Sequence, residues 1–508
     1  MNRLSYQLII DKRIKRQISI MSILSIAKYP VTFEELSEKI GVTERTLSDD
    51  VKNLIDQLPE EIEIQLIPKV GINLVWKSSY LLSDFISKLA DNNPIFEIIE
   101  NLFLGVEKNV EDYASHLFLS ESTLKKKLSI LKKVLKTYYL DLSLRPLKII
   151  GSEFNIRGFF FAYFRDTKKS SFVSPQKKQL VIQTSIVESL KLNYDFALHS
   201  DYRRALHWLI ITEQRILSNQ PVIINPSLIA EQQKKESYIR FKKIYTQQIA
   251  TSLNLGILSE DEIVFAYLVR LDTVVYTQNS DPALIMMYEE IIPDKIMADF
   301  LAKYAGVFNL STASDCELIQ STKAFLSNIF LLTKLSPLFQ KNSFELNQKI
   351  KTLHSFTYSK CIDLITTTEF FKFINIKYIE DVAASLTLVI AAHIYEKNLI
   401  GKKILFSLTG ESTYLVYFIM LSNCFLPRNL DIIFSFNERI TNNLLTEKEV
   451  DLWVHNYPID YVLQDCVSFQ ISPIPSIDEW TLLIKLLIDV APDDLHSFFD
   501  SYSENLLV

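Results

Sequence analysis

Glycine is scarce in this chain: nine among 508 residues. So few leave little room for the glycine-rich loops that cradle phosphates, and point to helices joined with few tight turns. Cysteine is scarce too. Cys316, Cys361, Cys424 and Cys466 stand far apart with no C-x-x-C pair, which argues against a zinc site or a disulfide framework and for free thiols in a reducing compartment. Long apolar runs are missing. The most lipid-like stretch, "YLVYFIMLSNCFL" (Tyr414 to Leu426), is too short to span a bilayer and contains Ser and Asn. No secretory leader is read at the N-terminus, where "DKRIKRQ" (Asp11 to Gln17) interrupts any apolar segment. The expectation is a cytoplasmic protein with no membrane partner. Catalytic signatures are also missing: there is no G-x-S-x-G, H-E-x-x-H or Walker loop. Neither an enzyme, nor a cofactor, nor a metal is expected.

What is present is apolar and aromatic. A hydrophobic content of 48%, with 32 Phe and 23 Tyr, is enough to fill several cores and excludes a disordered chain. The net charge of −6 hides an asymmetry. Up to Lys178 there are 27 Lys and Arg against 22 Asp and Glu; beyond it there are 27 against 38. A basic front on an acidic body suits an anionic partner such as nucleic acid, although a solvated surface offset would look the same.

Periodicity resolves that ambiguity. Ile18 to Ala27 is apolar with helical spacing; "TFEELSEKI" (Thr32 to Ile40) reads as a second helix capped by Thr32 with Phe33, Leu36 and Ile40 inward. After the Gly41-Val42 turn, Thr43 caps a third helix with Leu47, Val51, Leu54 and Leu58 on its inner face. Two alternating runs, "EIQLI" and "INLVW", flank Pro68 to Gly71. Three helices and a hairpin in that order predict a winged helix-turn-helix. The plan then repeats 77 positions on: "IFEIIENLFL", "VEDYASHL", a cap at Ser120, an inner face of Leu124, Leu128, Leu131 and Leu135, and a shorter wing around Arg145-Pro146. A match of caps, core and wing is an internal duplication.

The outward residues of the third helices are the candidate DNA contacts. In the first copy they are Thr43, Arg45, Ser48 and Lys52, with Asp49 beside them. In the second they are Ser120, Ser122, Lys125, Lys126, Ser129 and Lys133. From Ser120 to Lys136 six lysines face one glutamate, whereas Thr43 to Leu58 holds two basic residues against four acidic ones. The second copy is therefore expected to grip phosphates and the first to read bases or pack on a partner.

Beyond "RDTKKSSFVSPQKK" (Arg165 to Lys178) come long helices in two blocks, then strands alternating with helices in a small α/β tail. There "TEKEVDLW" reads as a helix and "IDYVLQ" as a strand. Of the seven histidines, His116 reads as surface or capping, and His354, His393, His455 and His496 have no ligand-spaced neighbours. His199 and His207 lie among Arg203, Arg204 and Arg215, which suits either partly buried helix histidines or acceptors of a phosphoryl group.

The order of parts, together with "LSEKIGVTERTLSDDVKNL" and "YASHLFLSESTLKKKLSIL", resembles the Mga/AtxA/RofA virulence regulators of Gram-positive bacteria. The resemblance implies a mostly α, multidomain chain: winged helix-turn-helix domains at 1–80 and 81–165, helical PTS regulation domains (PRDs) at 175–285 and 286–398, and an EIIB-like α/β domain at 399–508. It implies a homodimeric activator on double-stranded promoter DNA, tuned by phosphotransfer proteins of the sugar PTS. His207, and His199 close by, match the early PRD acceptor; Val269 and Leu388 stand where the later acceptors would be. Ser407 stands where an EIIB enzyme has its nucleophilic Cys. Two rivals are weighed. An RNA-binding antiterminator needs a small β-rich N-terminal domain, and a PTS phosphotransferase needs Cys or His at 407.

Overall fold

The computed structural model describes residues 3–27, 29–77, 85, 89, 93–167, 201–251, 253, 255–274, 292–311, 315–342, 344–399, 402–426, 430–436, 440–458 and 466–488. The chain forms two compact units, Met1–Pro293 with Ala324–Glu345 and Ile374–Lys377, and Asp294–Lys323 with Leu346–Phe373 and Tyr378–Val508.

The first unit opens with α1 (Arg3–Leu8) and α2 (Lys12–Ile26), followed by α3 (Phe33–Ile40) and α4 (Glu44–Ile55). Thr32 and Thr43 cap α3 and α4 through their side chains, and Gly41 takes the left-handed conformation that ends α3. Leu36, Leu47, Val51 and Leu54 are buried, as their spacing predicts. Strands β1 (Ile62–Ile67) and β2 (Gly71–Trp76) pair antiparallel, and Val31 adds an isolated antiparallel bridge to Ile72. Gly71 is required there: a Cβ would strike the Val31 carbonyl at a φ of +144°.

The second copy repeats this with α5 (Pro94–Phe103), α6 (Val110–His116), α7 (Glu121–Lys136), β3 (Asp141–Leu144) and β4 (Leu147–Ile150). Leu124, Leu128, Leu131 and Leu135 are all buried. Helix α8 (Glu153–Thr167) completes the domain, and its aromatic face fills the core: Phe103 meets Phe160 and Phe164 at 5.1 and 4.7 Å, and Phe96 meets Tyr163 at 5.8 Å. Only Arg165 to Thr167 of the expected linker are described, and they close α8.

A helical block follows, with α9 (Tyr202–Leu217), α10 (Pro226–Gln233), α11 (Glu236–Ile244) and α12 (Glu260–Val269). Helix α8 packs here with its other face. Phe161 stacks on Trp208 at 4.4 Å, and Phe154 on Phe265 at 5.9 Å. Beside these rings lies a closed ionic network. Fully buried Arg157 donates to both Glu262 oxygens at 2.7 and 2.8 Å, to Glu153 at 3.1 Å and to the Gln220 carbonyl at 3.2 Å. Arg215 donates twice to Glu153 at 2.8 Å. Two guanidinium groups and two carboxylates balance, so the charge is neutralised within a largely buried site.

The second unit holds α13 (Asp294–Phe308), most of α15 (Phe344–Leu353), α16 (Ser355–Thr367), most of α17 (Glu369–Ile374) and α18 (Ile379–Leu399); α14 (Cys316–Leu335) runs from the second unit into the first. Its α/β part contains β5 (Lys403–Ser407), α19 (Ser412–Phe425), β6 (Asp431–Ser435), α20 (Asn442–Glu447), β7 (Leu452–His455), β8 (Val467–Gln470) and α21 (Ile477–Ile488). The sheet is parallel in the order β6-β5-β7-β8. One expected helix is corrected. Leu452 and Trp453 of "TEKEVDLW" belong to strand β7, because Leu452 to His455 lie between β5 and β8 and are buried throughout, the continuous apolar pattern of an inner parallel strand. The helix ends earlier, at Glu447. "IDYVLQ" lies outside the described residues.

Candidate nucleic-acid interface

Helix α7 divides cleanly into two faces. Leu124, Leu128, Leu131, Val134 and Leu135 are buried, while Ser122, Lys125, Lys126, Ser129, Lys133 and Lys136 are exposed. Its amide end is closed by Ser120, whose Oγ accepts from the Thr123 N–H at 3.2 Å. Lys125 is held by Glu121 one turn back at 2.9 Å, and Lys132 reaches Asp141 on β3 at the same distance. Among the described residues, Lys126 and Lys133 have no ion-pair partner. These two ammonium groups, like that of exposed Lys136, are thus available to an external anion. The Ser129 hydroxyl donates to the Lys126 carbonyl at 2.6 Å and so turns back onto its own helix.

Helix α4 presents Arg45, Asp49 and Lys52 outward with Ser48 half-buried. Thr43 Oγ1 accepts from the Thr46 N–H at 3.3 Å, so Thr43, like Ser120, serves first as a cap. The sequence missed Asp50. It is buried, and Arg16 of α2 forks across its carboxylate, with Nη2 on Oδ1 at 3.2 Å and Nε on Oδ2. Hydrogen bonding to Asp50 raises the Arg16 pKa, the direction expected for a paired guanidinium. Asp50 therefore repels DNA less than a count of acidic residues implies. Two wing-tip cations were missed as well, exposed Lys69 and exposed Arg145. The available signal was a basic residue in the turn between two alternating strands.

His207 sits on α9 with its ring 6.2 Å from Phe161, nearly perpendicular to it. Burial pushes its pKa down, Asp201 opposes that, and Arg203, Arg204 and Arg165 push it further down. Arg204 is itself engaged, forking onto Asp272 at 2.7 Å for both bonds, where the Trp208 indole N–H also donates. A neutral imidazole beside several guanidinium groups is chemically suited to receive an anion-forming modification. His199 lies outside the described residues. His116 is exposed and 2.8 Å from Glu97, and His393 is 2.9 Å from Asp315.

Ser407, at the C-terminal end of β5, is buried. Its Oγ accepts from the Trp453 indole N–H at 2.6 Å and lies 2.9 Å from the Tyr457 hydroxyl. Its register partner on β7, His455, has a pKa lowered by burial and a ring nitrogen 2.7 Å from the Tyr457 carbonyl. Both hydrogen-bond partners of this hydroxyl are thus supplied, and among the described residues no base is aimed at it. Among the described residues no His, Cys, Asp and Glu group is placed to hold a metal, and no helix is long and apolar enough to cross a membrane.

Comparison with known proteins agrees with the two-domain front. Residues 16–73 match a helix-turn-helix domain and residues 79–164 match the Mga helix-turn-helix domain. The chain is 26% identical over 270 residues to the capsule synthesis positive regulator AcpA of Bacillus anthracis, covering 52% of this chain and 55% of AcpA. It is 22% identical over 413 residues to the capsule synthesis positive regulator AcpB of the same organism, covering 79% of this chain and 84% of AcpB. It is 24% identical over 228 residues to the transcriptional regulator ManR of Bacillus subtilis (strain 168), covering 40% of this chain and 35% of ManR. It thus spans about half the length of AcpA and about a third of ManR. The chain thus carries two helix-turn-helix domains in tandem, the second similar to the Mga helix-turn-helix domain.

Proposed function

We propose that this protein is a cytoplasmic transcriptional regulator, not an enzyme, that binds double-stranded promoter DNA and activates capsule, surface-protein or other virulence genes. The observation that carries this reading is the exposed lysine face of α7 on an Mga-type helix-turn-helix domain. The names of AcpA and AcpB, both positive regulators of capsule synthesis, support activation and the class of gene. Arg45, Ser48 and Lys52 would meet DNA from α4, and Ser122, Lys125, Lys126, Ser129 and Lys133 from α7, with Thr43 and Ser120 holding the helix ends toward phosphate. Binding of a labelled random duplex should weaken steeply with salt. Absence of any salt-sensitive binding would overturn the reading.

The helical parts then act as PRDs at 175–285 and 286–398, and residues 399–508 as an EIIB-like scaffold. Phosphotransfer to His207 would set new negative charge beside Arg203, Arg204 and Phe161, where α8 of the DNA-binding domain packs on α9. His207→Ala is expected to abolish labelling by purified PTS phosphotransfer proteins; equal labelling of both chains would remove this histidine from the account.

The reading also includes a homodimer through the EIIB-like domain. Phe418 and Leu421 are not free for it, because they line the core of that domain. Exposed on α19 are Val416, Tyr417, Met420 and Phe425, at 69%, 53%, 46% and 40%. A pair of such faces would bury apolar surface without disturbing the core. Val416→Glu with Met420→Glu should convert a dimer to a monomer in light scattering, and an unchanged dimer mass would move the interface elsewhere.

A further inference from the structure

The first residues of the chain do not stay with the first helix-turn-helix domain. Helix α1 packs against α7 and α8 of the second. Leu4, Leu8 and Ile9 are buried, and the Asn93 side-chain amide, at the start of α5, donates to the Leu8 carbonyl at 2.9 Å. Only Ile9, Ile10 and Asp11 separate α1 from α2, so the end of one helix and the start of the next lie within roughly 14 Å of each other even at full stretch. Other interactions remove the remaining freedom. Lys15 of α2 lies over the Tyr6 ring of α1 at 4.9 Å. Asp11 accepts from the N–H groups of Arg13 and Ile14 at 2.7 and 3.4 Å, fixing where α2 starts. From α2, Arg16 grips Asp50 on the buried side of α4. A continuous path of packed and hydrogen-bonded groups therefore runs from α7 through α1 and α2 to α4.

From this path we infer that α1 is a spacing gauge: it fixes the distance and angle between α4 and α7, so that the chain reads one composite DNA site whose two elements keep a set separation. The inference rests on the DNA-binding reading above. Leu4, Leu8 and Asn93 are positioning residues in it; none needs to touch DNA. A flexible joint at this place would loosen that separation and leave the base contacts unchanged, since each helix-turn-helix has its own core; residues 78–92, where Phe85 and Leu89 are buried, remain as the second connection.

The test selects binding duplexes from a random-sequence pool with the full-length chain. Two enriched elements at constant separation are expected. Adding half a helical turn (about 5 bp) between them should weaken binding roughly tenfold or more, as disengaging one element from its bases would. Four Gly/Ser residues inserted between Ile10 and Asp11 should leave both elements enriched but scatter their separation and abolish that penalty. The insertion lies outside α1 and α2, and the domains stay joined through residues 78–92, so both copies keep their cores. If the native chain binds the lengthened duplex as tightly as its parent, or enriches a single element, the composite site is wrong, and this needs no altered protein. If the insertion variant keeps the strict separation, α1 is not the gauge. Failure to bind any duplex would instead sink the DNA-binding reading, and this inference with it.

Discussion

Arg157→Met is expected to destabilise the first unit by about 3–5 kcal/mol, the usual effect of removing one partner from a buried ion pair. Arg157 has no exposed surface and donates to Glu262, Glu153 and the Gln220 carbonyl. Methionine fills much of the space but supplies none of those hydrogens. The effect falls on Glu262, which among the described residues keeps only the Val222 N–H at 3.0 Å and must hold its charge in an apolar setting. Glu153 suffers less because Arg215 still donates to it twice. Pairing the change with Glu262→Gln restores neutrality and should recover a substantial part of the stability, so the double-mutant cycle isolates the coupling. Guanidinium unfolding of the four chains measures it. A single Arg157→Met chain within about 0.5 kcal/mol of the parent, the range of an ordinary surface change, would show that the network contributes packing and nothing more.

The second large effect is on DNA. Replacing Lys125, Lys126 and Lys133 together by Ala should lower the slope of log K against log salt by about 0.9 for each phosphate left without its ammonium partner. Affinity should fall alike on selected and random duplexes, because binding to phosphates carries no sequence information. Lys126 and Lys133 should account for most of it, since Lys125 is shared with Glu121. Arg45→Ala should behave differently, costing roughly 1–3 kcal/mol on the selected site and little on random DNA, if it reads a base edge. Fluorescence anisotropy at several salt concentrations separates the two patterns. A triple variant that binds like the parent, with the salt slope carried by α4, would reverse the assignment of grip and reading between the copies.

Much of this front is legible in the order of residues alone. Both helix-turn-helix copies follow from local signals: a threonine or serine cap, leucines at helical spacing and an alternating hairpin all lie within a few residues of what they specify. What stayed hidden depends on partners distant in sequence. Asp50 looks like one more surface acid in "SDDVKN" until α2 places Arg16 against it, 34 positions away. Arg157 looks like an interruption in an aromatic run, yet its partner Glu262 is 105 positions off. The stretch Leu452 to His455 misled for another reason. A four-residue apolar strand carries no periodicity that tells it from a helix end, and the neighbouring strands decide it. At Ser407 the residue type alone argued against catalysis, but only the geometry supplied the Trp453 and Tyr457 partners that explain why a serine belongs there.

Helix α8 has a consequence for how such chains diversify. One of its faces completes the domain that carries α7, and the other is stacked against Trp208 and Phe265 of the helical block. Among the described residues no seam lies between the second helix-turn-helix domain and the helical block along which a lineage could exchange one for the other. A graft of residues 79–164 onto a foreign scaffold would carry Phe154, Arg157 and Phe161 bare into water, a patch prone to self-association. Substitutions at Phe161 and Trp208 should accordingly be inherited together, and the two parts should have travelled through descent as a single piece.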